Sequence, residues 1–462
     1  MSNSKRYDLV VIGSGPGGEK AAIQAAKLGK TVCVVEASAV GGACLHTGTI
    51  PSKTLRESVR YLSLTRQRAI YGINVKLDLD LTIDRLMHRK RATILSLGDR
   101  LERSFERNGV TYVAGRATFI DAHTVRVGSA QGLEEHLEAE RFIIAVGTRP
   151  YHPEGMDFGH PRVLDSDSIL LLHEIPKSLT IIGGGVIACE YATIFSNLGV
   201  KVNLINPRPV LLDFLDQEIS NMLTYLMREG GVRVRLGETL RQVEADADSV
   251  QAHLDSGKVV RSETLLFANG RTGNTEGLGL EHIDIAVNSR AQIEVNDMYQ
   301  TRHPHIYAVG DVIGWPSLAA TAMDQGRIAA LHAFGQPVEK PQWSHIPTGI
   351  YTIPEISFIG ATEEQLTAQK IPYEVGNATY KEIARGQIMG TTVGRLKLLF
   401  HRESLQLLGV HIIGDYATDL IHIGQAVIAF GGTVEYFVEH VFNYPTFSEG
   451  YRVAALNGIN RL

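Results

Sequence analysis

Two glycine-rich segments have the spacing that binds the pyrophosphate of a dinucleotide. In the first, Gly13, Gly15 and Gly18 follow an apolar run that predicts a buried strand. The first glycine permits a tight turn, the second lets backbone N–H groups approach phosphate oxygens, and the third lets the following helix pack on the strand. Glu36 ends the next apolar run and can accept hydrogen bonds from both hydroxyls of a ribose. Strand, turn, helix and acid in this order predict a dinucleotide-binding βαβ unit.

A second segment repeats this pattern with different chemistry. Gly183, Gly185 and Ala188 take the three glycine positions, and Asn206 stands where the acid would be, 23 residues after the first glycine in both units. An acid there would hold a free 2′-hydroxyl and repel a 2′-phosphate, whereas Arg208 can pair with a phosphate. Two units in equal register predict two separate dinucleotide sites, the second accepting NADPH without excluding NADH. The alternative is an ordinary NAD site beside a solvated Arg208.

The residues between these motifs predict the domains that position them. Each glycine turn stands between a buried strand and a helix, which is typical of an α/β domain with a parallel sheet. A Gly/Pro break at 147–150 predicts where the chain leaves the first domain. The predicted order is a first dinucleotide-binding domain, a second one, a return segment of the first and a C-terminal α+β domain, at residues 1–150, 151–275, 276–340 and 341–462.

The C-terminal domain is predicted from shorter elements. It follows a polar, proline-bounded linker at 337–341. The predicted elements are strands over 349–359, 395–401 and 406–412, and helices over 417–429 and 433–441.

Composition and charge exclude several function classes. At 462 residues the chain is too long for one core. A net charge of −5 argues against a nucleic-acid or anionic-membrane surface, and no apolar run reaches the length of a membrane span. Three cysteines without a CxxC pair argue against a disulfide scaffold and a zinc site, so no metal is expected. Cys33 and Cys189 are predicted to be core residues, and a reducing cytoplasm is the expected compartment.

The order of the motifs resembles the flavoprotein disulfide reductases with two dinucleotide-binding domains. Gly310 and Asp311 follow an apolar run, as in the second flavin motif of that family, where the Asp binds the ribityl chain of FAD. A helix beginning at Ala319 and Ala320 resembles the one whose N-terminus faces the flavin pyrimidine edge, although plain scaffold is the alternative. The resemblance covers essentially the whole chain. It implies bound FAD and a C-terminal interface domain that pairs two subunits.

Two positions depart from the pattern of that family. Disulfide reductases carry two cysteines five positions apart beside the flavin, and here Cys44 fills the first position but Thr49 the second. A hydroxyl cannot form a disulfide, so electrons cannot continue into a dithiol there. Those relatives also carry a His-Pro dipeptide with a Glu five positions after the His. Here Glu449 remains but Tyr444 replaces the histidine, and a phenol is a poor proton shuttle at neutral pH.

Two charged residues of the family pattern remain, Lys53 and Glu190. In relatives these positions form an ion pair beneath the flavin, near N5, so both are predicted to be catalytic; a purely structural pair is the alternative. The segments Gly48–Lys53 and Phe442–Thr446 are similar to those of the soluble, flavin-containing pyridine nucleotide transhydrogenases. That resemblance implies a ping-pong reaction in which NADPH gives hydride to flavin N5, NADP⁺ leaves, and NAD⁺ takes the hydride back at the same site.

The motifs and the resemblance together predict two sets of contacts. The predicted FAD contacts are Gly13, Gly15, Gly17, Gly18, Glu36, Gly42, Thr49, Lys53, Gly147, Asp311, Ala319 and Ala320. The predicted NAD(P) contacts are Gly183, Gly185, Ala188, Glu190, Asn206, Arg208 and Gly270.

The expected assembly is a homodimer or a larger homo-oligomer, and three other functions stay open. One is an NAD(P)H dehydrogenase or diaphorase that passes electrons to a quinone or another small acceptor. A second is a disulfide reductase that recruits Cys44 with an external thiol. The third is a flavin-loaded scaffold without catalysis.

Overall fold

The computed structural model describes residues 5–66, 82–129, 132–339 and 345–462. Within these ranges a mixed sheet and a parallel sheet, each packed against helices, precede an antiparallel sheet, which confirms the predicted α/β class with a C-terminal α+β domain. The helices are α1 Pro16–Lys27, α2 Gly42–His46, α3 Thr49–Arg66, α4 Ile83–Leu86, α5 His88–Arg107, α6 Val186–Asn197, α7 Gln217–Glu229, α8 Ala319–Ala333, α9 Glu363–Ala368, α10 Ala384–Met389, α11 Ala417–Ala429, α12 Tyr436–Glu439 and α13 Glu449–Ile459. None of them is both long and apolar enough to cross a bilayer.

The strands of the same ranges form five sheets. In chain order they are β1 Lys5–Ile12, β2 Val32–Glu36, β3 Thr111–Ala114, β4 Arg116–Asp121, β5 Thr124–Gly128, β6 Glu134–Ile144, β7 Thr148–Pro150, β8 Val163–Leu164, β9 Ser178–Ile182, β10 Lys201–Asn206, β11 Arg233–Leu236, β12 Leu240–Ala245, β13 Val250–Leu254, β14 Val259–Ser262, β15 Thr264–Phe267, β16 Arg271–Gly273, β17 Ile306–Ala308, β18 Thr348–Ile350, β19 Ile356–Gly360, β20 Tyr373–Thr379, β21 Arg395–His401 and β22 Leu407–Ile413.

The first sheet has the order β3-β2-β1-β6-β5-β4, with β17 also paired to β6. Its central strand β1 is buried on both faces: Val10 and Ile12 pack into one apolar cluster, and Leu9 and Val11 into the other. This explains why β1 reads as an unbroken apolar run rather than an alternating one. Packing on both faces of β1 therefore holds the turn at Gly13 in a fixed position.

The second sheet is parallel, with the order β11-β10-β9-β15-β8. The chain passes between the two sheets through β7 and β16, which pair with each other in antiparallel fashion. The predicted boundaries at 150/151 and 275/276 lie next to this pair. The predicted boundary at 340/341 lies outside the described residues.

The C-terminal sheet is antiparallel, in the order β18-β19-β22-β21-β20, and α11 and α13 pack against it. The predicted helix over 417–429 is confirmed by α11 and the predicted strand over 395–401 by β21. The single strand predicted over 349–359 is wrong, because Ile350 pairs with Ile356 and the chain reverses between them. An apolar run does not reveal a reversal, although Pro354 lacks the N–H that a strand ladder needs. The helix predicted over 433–441 is too long, since α12 has one turn.

Candidate active site

The turn after β1 has a geometry that could receive a phosphate. Gly13 has a φ of 103°, in the left-handed region, and a Cβ on Gly18 would overlap the carbonyl oxygen of Gly13. Gly15 precedes α1 without a side-chain cap, and the space that its Cβ would fill is open to 4 Å. The first N–H groups of a helix lack partners within the helix and carry its positive dipole end, so they can bind a pyrophosphate here.

The acid at the end of β2 is held in place from two sides. Glu36 is buried, and its Oε2 accepts hydrogen bonds from the N–H and the hydroxyl of Ser14 at 2.9 and 2.7 Å. The N–H of Ser38 donates to Oε1 at 2.9 Å. A Cβ on Gly42 would lie 3.2 Å from the Cα of Gly15, so the turn before α2 lies against the phosphate loop. The predicted ribose and pyrophosphate contacts are therefore neighbours.

The segment from β17 to α8 adds a carboxyl and a second helix start. The N–H of Gly310 donates to Gln325 Oε1 at 2.7 Å, which ties this turn to α8. Asp311 accepts one long hydrogen bond, from the Thr148 hydroxyl at 3.4 Å, and burial raises the pKa of this carboxyl. A partly buried carboxyl with acceptor capacity left suits the hydroxyls of a ribityl chain. Ala319 begins α8 after a cap residue without a side-chain hydrogen bond.

The second glycine turn is arranged in the same way. Gly183 has a φ of 126°, and the space beside Gly185 at the start of α6 is open. The side chain of Asn206 lies over Gly184, and its amide nitrogen is used within its own loop. Arg208 forms an ion pair with Asp213, a partner that the sequence alone did not indicate. The turn can hold a pyrophosphate, and Arg208 lies two residues beyond the ribose position.

Lys53 and Glu190 meet where the three domains meet. Lys53 Nζ on α3 lies 2.6 Å from Glu190 Oε2 on α6. The other carboxylate oxygen accepts the backbone N–H of Tyr351 at 2.9 Å, and Lys53 Nζ lies 5.0 Å from the centre of the Tyr351 ring. The exposed fraction of the Lys53 side chain is 25%, against 6% for Glu190. The Lys53 ammonium is thus partly accessible, while the carboxylate of Glu190 is almost completely buried.

Tyr351 was missed as a site residue. Within an apolar run that reads as one strand, a single tyrosine gives no signal, and only the reversal between β18 and β19 brings it to Glu190. Burial raises the pKa of the Tyr351 hydroxyl, and the negative charge of Glu355 acts in the same direction. The hydroxyl therefore stays protonated across the neutral range.

Comparison with known proteins settles the family. Residues 7–326 match the family described as pyridine nucleotide-disulphide oxidoreductase, and residues 346–455 match its dimerisation domain. The chain belongs to the pyridine nucleotide-disulphide oxidoreductase family. This family is FAD-dependent and uses NAD(P) substrates, and the cradle at Gly13–Gly18, Glu36 and Asp311 fits FAD.

Two full-length relatives of this chain carry the same name. The chain is 52% identical over 467 residues to the "Soluble pyridine nucleotide transhydrogenase" of Enterobacter sp. (strain 638), with 100% of both chains covered. The protein of that name from Salmonella typhimurium is also 52% identical at the same coverage.

Solved structures of the family have the same fold. LpdA from Mycobacterium tuberculosis gives a TM-score of 0.89 at 25% identity, covering 98% of this chain and 99% of that one. The HOCl-induced flavoprotein disulfide reductase RclA from Escherichia coli gives 0.87 at 27% identity, covering 97% and 99%.

The family's disulfide position contains a single sulfur here. Cys33, Cys44 and Cys189 are all free, and the buried positions of Cys33 and Cys189 confirm that they are core residues. Burial raises the pKa of the Cys44 thiol, while a side-chain hydrogen bond with Thr49 and the charge of Lys53 oppose that shift. The thiol and the hydroxyl therefore adjoin each other as a hydrogen-bonded pair, not a redox pair.

Within the described residues of one chain, the C-terminal positions of the family's acid–base pair form no hydrogen bond or ion pair with this centre. Tyr444 is 68% exposed, and Glu449 begins α13. Glu449 Oε2 is buried without a hydrogen-bond partner in the described part of the chain. No hydrogen bond or ion pair across the described ranges joins either residue to Cys44 or Lys53.

Proposed function

We propose that this chain is an FAD-dependent NAD(P)⁺ transhydrogenase that moves hydride from NADPH to NAD⁺. The observation that carries the proposal is Thr49, which pairs with Cys44 where a second sulfur would be needed for disulfide chemistry. The full-length relatives at 52% identity support it through their name. FAD, when bound, supplies a carrier that takes up and returns two electrons as hydride.

The residues of the centre act by binding and by fixed charge. The turn at Gly13–Gly18 and the start of α1 bind the FAD pyrophosphate. Asp311 accepts hydrogen bonds from the hydroxyls of the ribityl chain. Glu190 holds Lys53 in one position, so the ammonium presents a positive charge that needs no rearrangement during reaction. Hydride transfer requires neither an acid nor a base, which agrees with Tyr444 in place of a histidine.

One nicotinamide site serves both substrates in turn. The turn at Gly183–Gly185 binds the pyrophosphate of either nucleotide, and Arg208 pairs with the 2′-phosphate that only NADPH and NADP⁺ carry. NADP⁺ leaves before NAD⁺ enters, because the two nucleotides share these contacts. The order of events is ping-pong.

The proposal includes an assembly and a compartment. Residues 346–455 match a dimerisation domain, and the large apolar side chains Phe430, Val441 and Tyr444 are exposed in the same part of this chain. A homodimer or larger homo-oligomer would cover them. The three free cysteines agree with a reducing cytoplasm.

An anaerobic half-reaction tests the function. The FAD-loaded protein is reduced with one equivalent of NADPH, freed of NADP⁺, and then mixed with NAD⁺. Stoichiometric NADH with reoxidised flavin is the expected result. A reduced flavin that NAD⁺ leaves unchanged but a quinone oxidises would identify a diaphorase instead. A titration that stores four electrons per subunit, rather than the two of the flavin, would refute the argument from Thr49.

A further inference from the structure

The loop between β10 and α7 is anchored at its start to the second glycine turn. Asn206 Nδ2 donates to the carbonyl oxygens of Arg208 and Val210 at 3.1 and 2.9 Å. The N–H of Leu212 donates to the carbonyl oxygen of Gly184 at 3.0 Å. The backbone that carries Arg208 is therefore fixed relative to the nucleotide-binding turn.

The same loop is anchored at its end to the C-terminal domain. Asp216 caps α7 and is fully buried, and its Oδ1 accepts a hydrogen bond from Lys397 Nζ at 2.8 Å. Its Oδ2 accepts the N–H of Glu363 at 3.2 Å. Lys397 is fully buried as well and also forms ion pairs with Glu218 and Glu363. Because a charged group buried this way is costly to separate from its partners, the loop has two fixed ends.

Between these anchors, the oppositely charged side chains of Arg208 and Asp213 lie close together and are exposed to solvent. Arg208 Nη1 pairs with Asp213 Oδ2, and the exposed fractions of the two side chains are 65% and 45%. While the pair is intact, the guanidinium N–H that points at Asp213 is not available to a phosphate oxygen. The carboxylate is therefore a competitor for Arg208.

We propose that Asp213 is a specificity-determining residue that lowers the preference of the nicotinamide site for NADP(H) over NAD(H). The inference rests on the proposed function, in which one site must release NADP⁺ before NAD⁺ enters. When the 2′-phosphate leaves, Arg208 returns to Asp213 and is not left without a partner. The gain from the Arg208–phosphate contact is reduced by the contact that it replaces, so neither nucleotide excludes the other.

Binding of nucleotide fragments tests this role apart from catalysis. We would measure the Kd of 2′,5′-ADP and of 5′-AMP by calorimetry on the FAD-loaded protein and its Asp213→Asn and Asp213→Ala variants. Because exposed ion pairs contribute little, both variants should bind 2′,5′-ADP about two- to fivefold more tightly, with 5′-AMP unchanged. In steady state the KM for NADPH should fall while the KM for NADH stays constant.

Two controls separate the pair from general charge effects. Asp248→Asn removes one exposed charge from the turn between β12 and β13 of the same domain and should leave both Kd values unchanged. In an Arg208→Gln background the substitution of Asp213 should have no further effect, since the competition is gone.

Equal tightening of both fragments, or a gain that persists with Arg208→Gln, would overturn the proposal, as would no change at all. If reduced enzyme fails to pass hydride to NAD⁺ while these shifts appear, the transhydrogenase function fails and the role of Asp213 stands.

Discussion

Removal of the Lys53 charge gives the sharpest test of the centre. Lys53→Met keeps the length of the side chain but leaves Glu190 enclosed without its cation. Glu190→Gln keeps an acceptor for the Tyr351 N–H, now held at 2.9 Å, but removes the negative charge. The double variant removes both charges together. If the ion pair is purely structural, the double variant should recover whatever either single variant loses.

The magnitude follows from the geometry of the pair. At 2.6 Å and an effective dielectric constant near 20, the Coulomb attraction is about 6 kcal/mol, which is an upper bound. The Tyr351 N–H still stabilises the carboxylate, and Lys53 keeps a 25% exposed fraction, so Lys53→Met should cost about 2–4 kcal/mol of stability. If the same cation stabilises reduced flavin by about 2 kcal/mol, flavin reduction should slow about 30-fold.

Two assays separate structure from function. Thermal release of flavin fluorescence reports stability, and anaerobic stopped-flow mixing with NADPH reports the reduction rate. Arg327→Met breaks an exposed pair with Asp324 and serves as the control, with an expected loss below about 0.5 kcal/mol and an unchanged rate. We expect the double variant to regain thermal stability but not the rate of flavin reduction. A double variant as fast as wild type would refute a functional role, and additive losses would refute the coupling of the pair.

Three further substitutions test other parts of the structure. Cys44→Ser should keep NADPH:NAD⁺ activity within about twofold, because the thiol has no resolving partner; a loss of most activity would contradict this. Since the pKa of Cys44 is raised, alkylation of the native thiol should be slow at pH 7 and accelerate as pH rises, which labelling rates against free cysteine would show. Lys397→Met should lower the free energy of unfolding by about 3–5 kcal/mol, and with it the melting temperature, because the buried Asp216 carboxylate loses its cation. An unchanged melting temperature would show that these charges are hydrated. Gly18→Ala should abolish FAD retention after gel filtration, since its Cβ would overlap the backbone of Gly13. A variant that retains as much FAD as the wild type would disprove that packing.

The sequence by itself determined what depends on neighbours in the chain. A glycine turn after a buried strand is a local structure, so Gly13 and Gly183 could be assigned before any contact was known, and both have positive φ. The missing second sulfur is equally local, because Thr49 cannot be oxidised to a disulfide in any fold. The class of fold followed from the alternation of these turns with strands and helices, and the matched family agrees with it.

Only the tertiary structure decided which charged residues pair with each other. Glu190 meets Lys53 across 137 positions and Tyr351 across 161, and the latter contact exists because the predicted strand over 349–359 is a hairpin. Arg208 looked like a free phosphate ligand, yet it pairs with Asp213 in a loop anchored to another domain through Asp216. Such contacts arise when separate domains pack, and burial then fixes which charge faces which. The spacing of residues along the chain therefore does not predict these pairs.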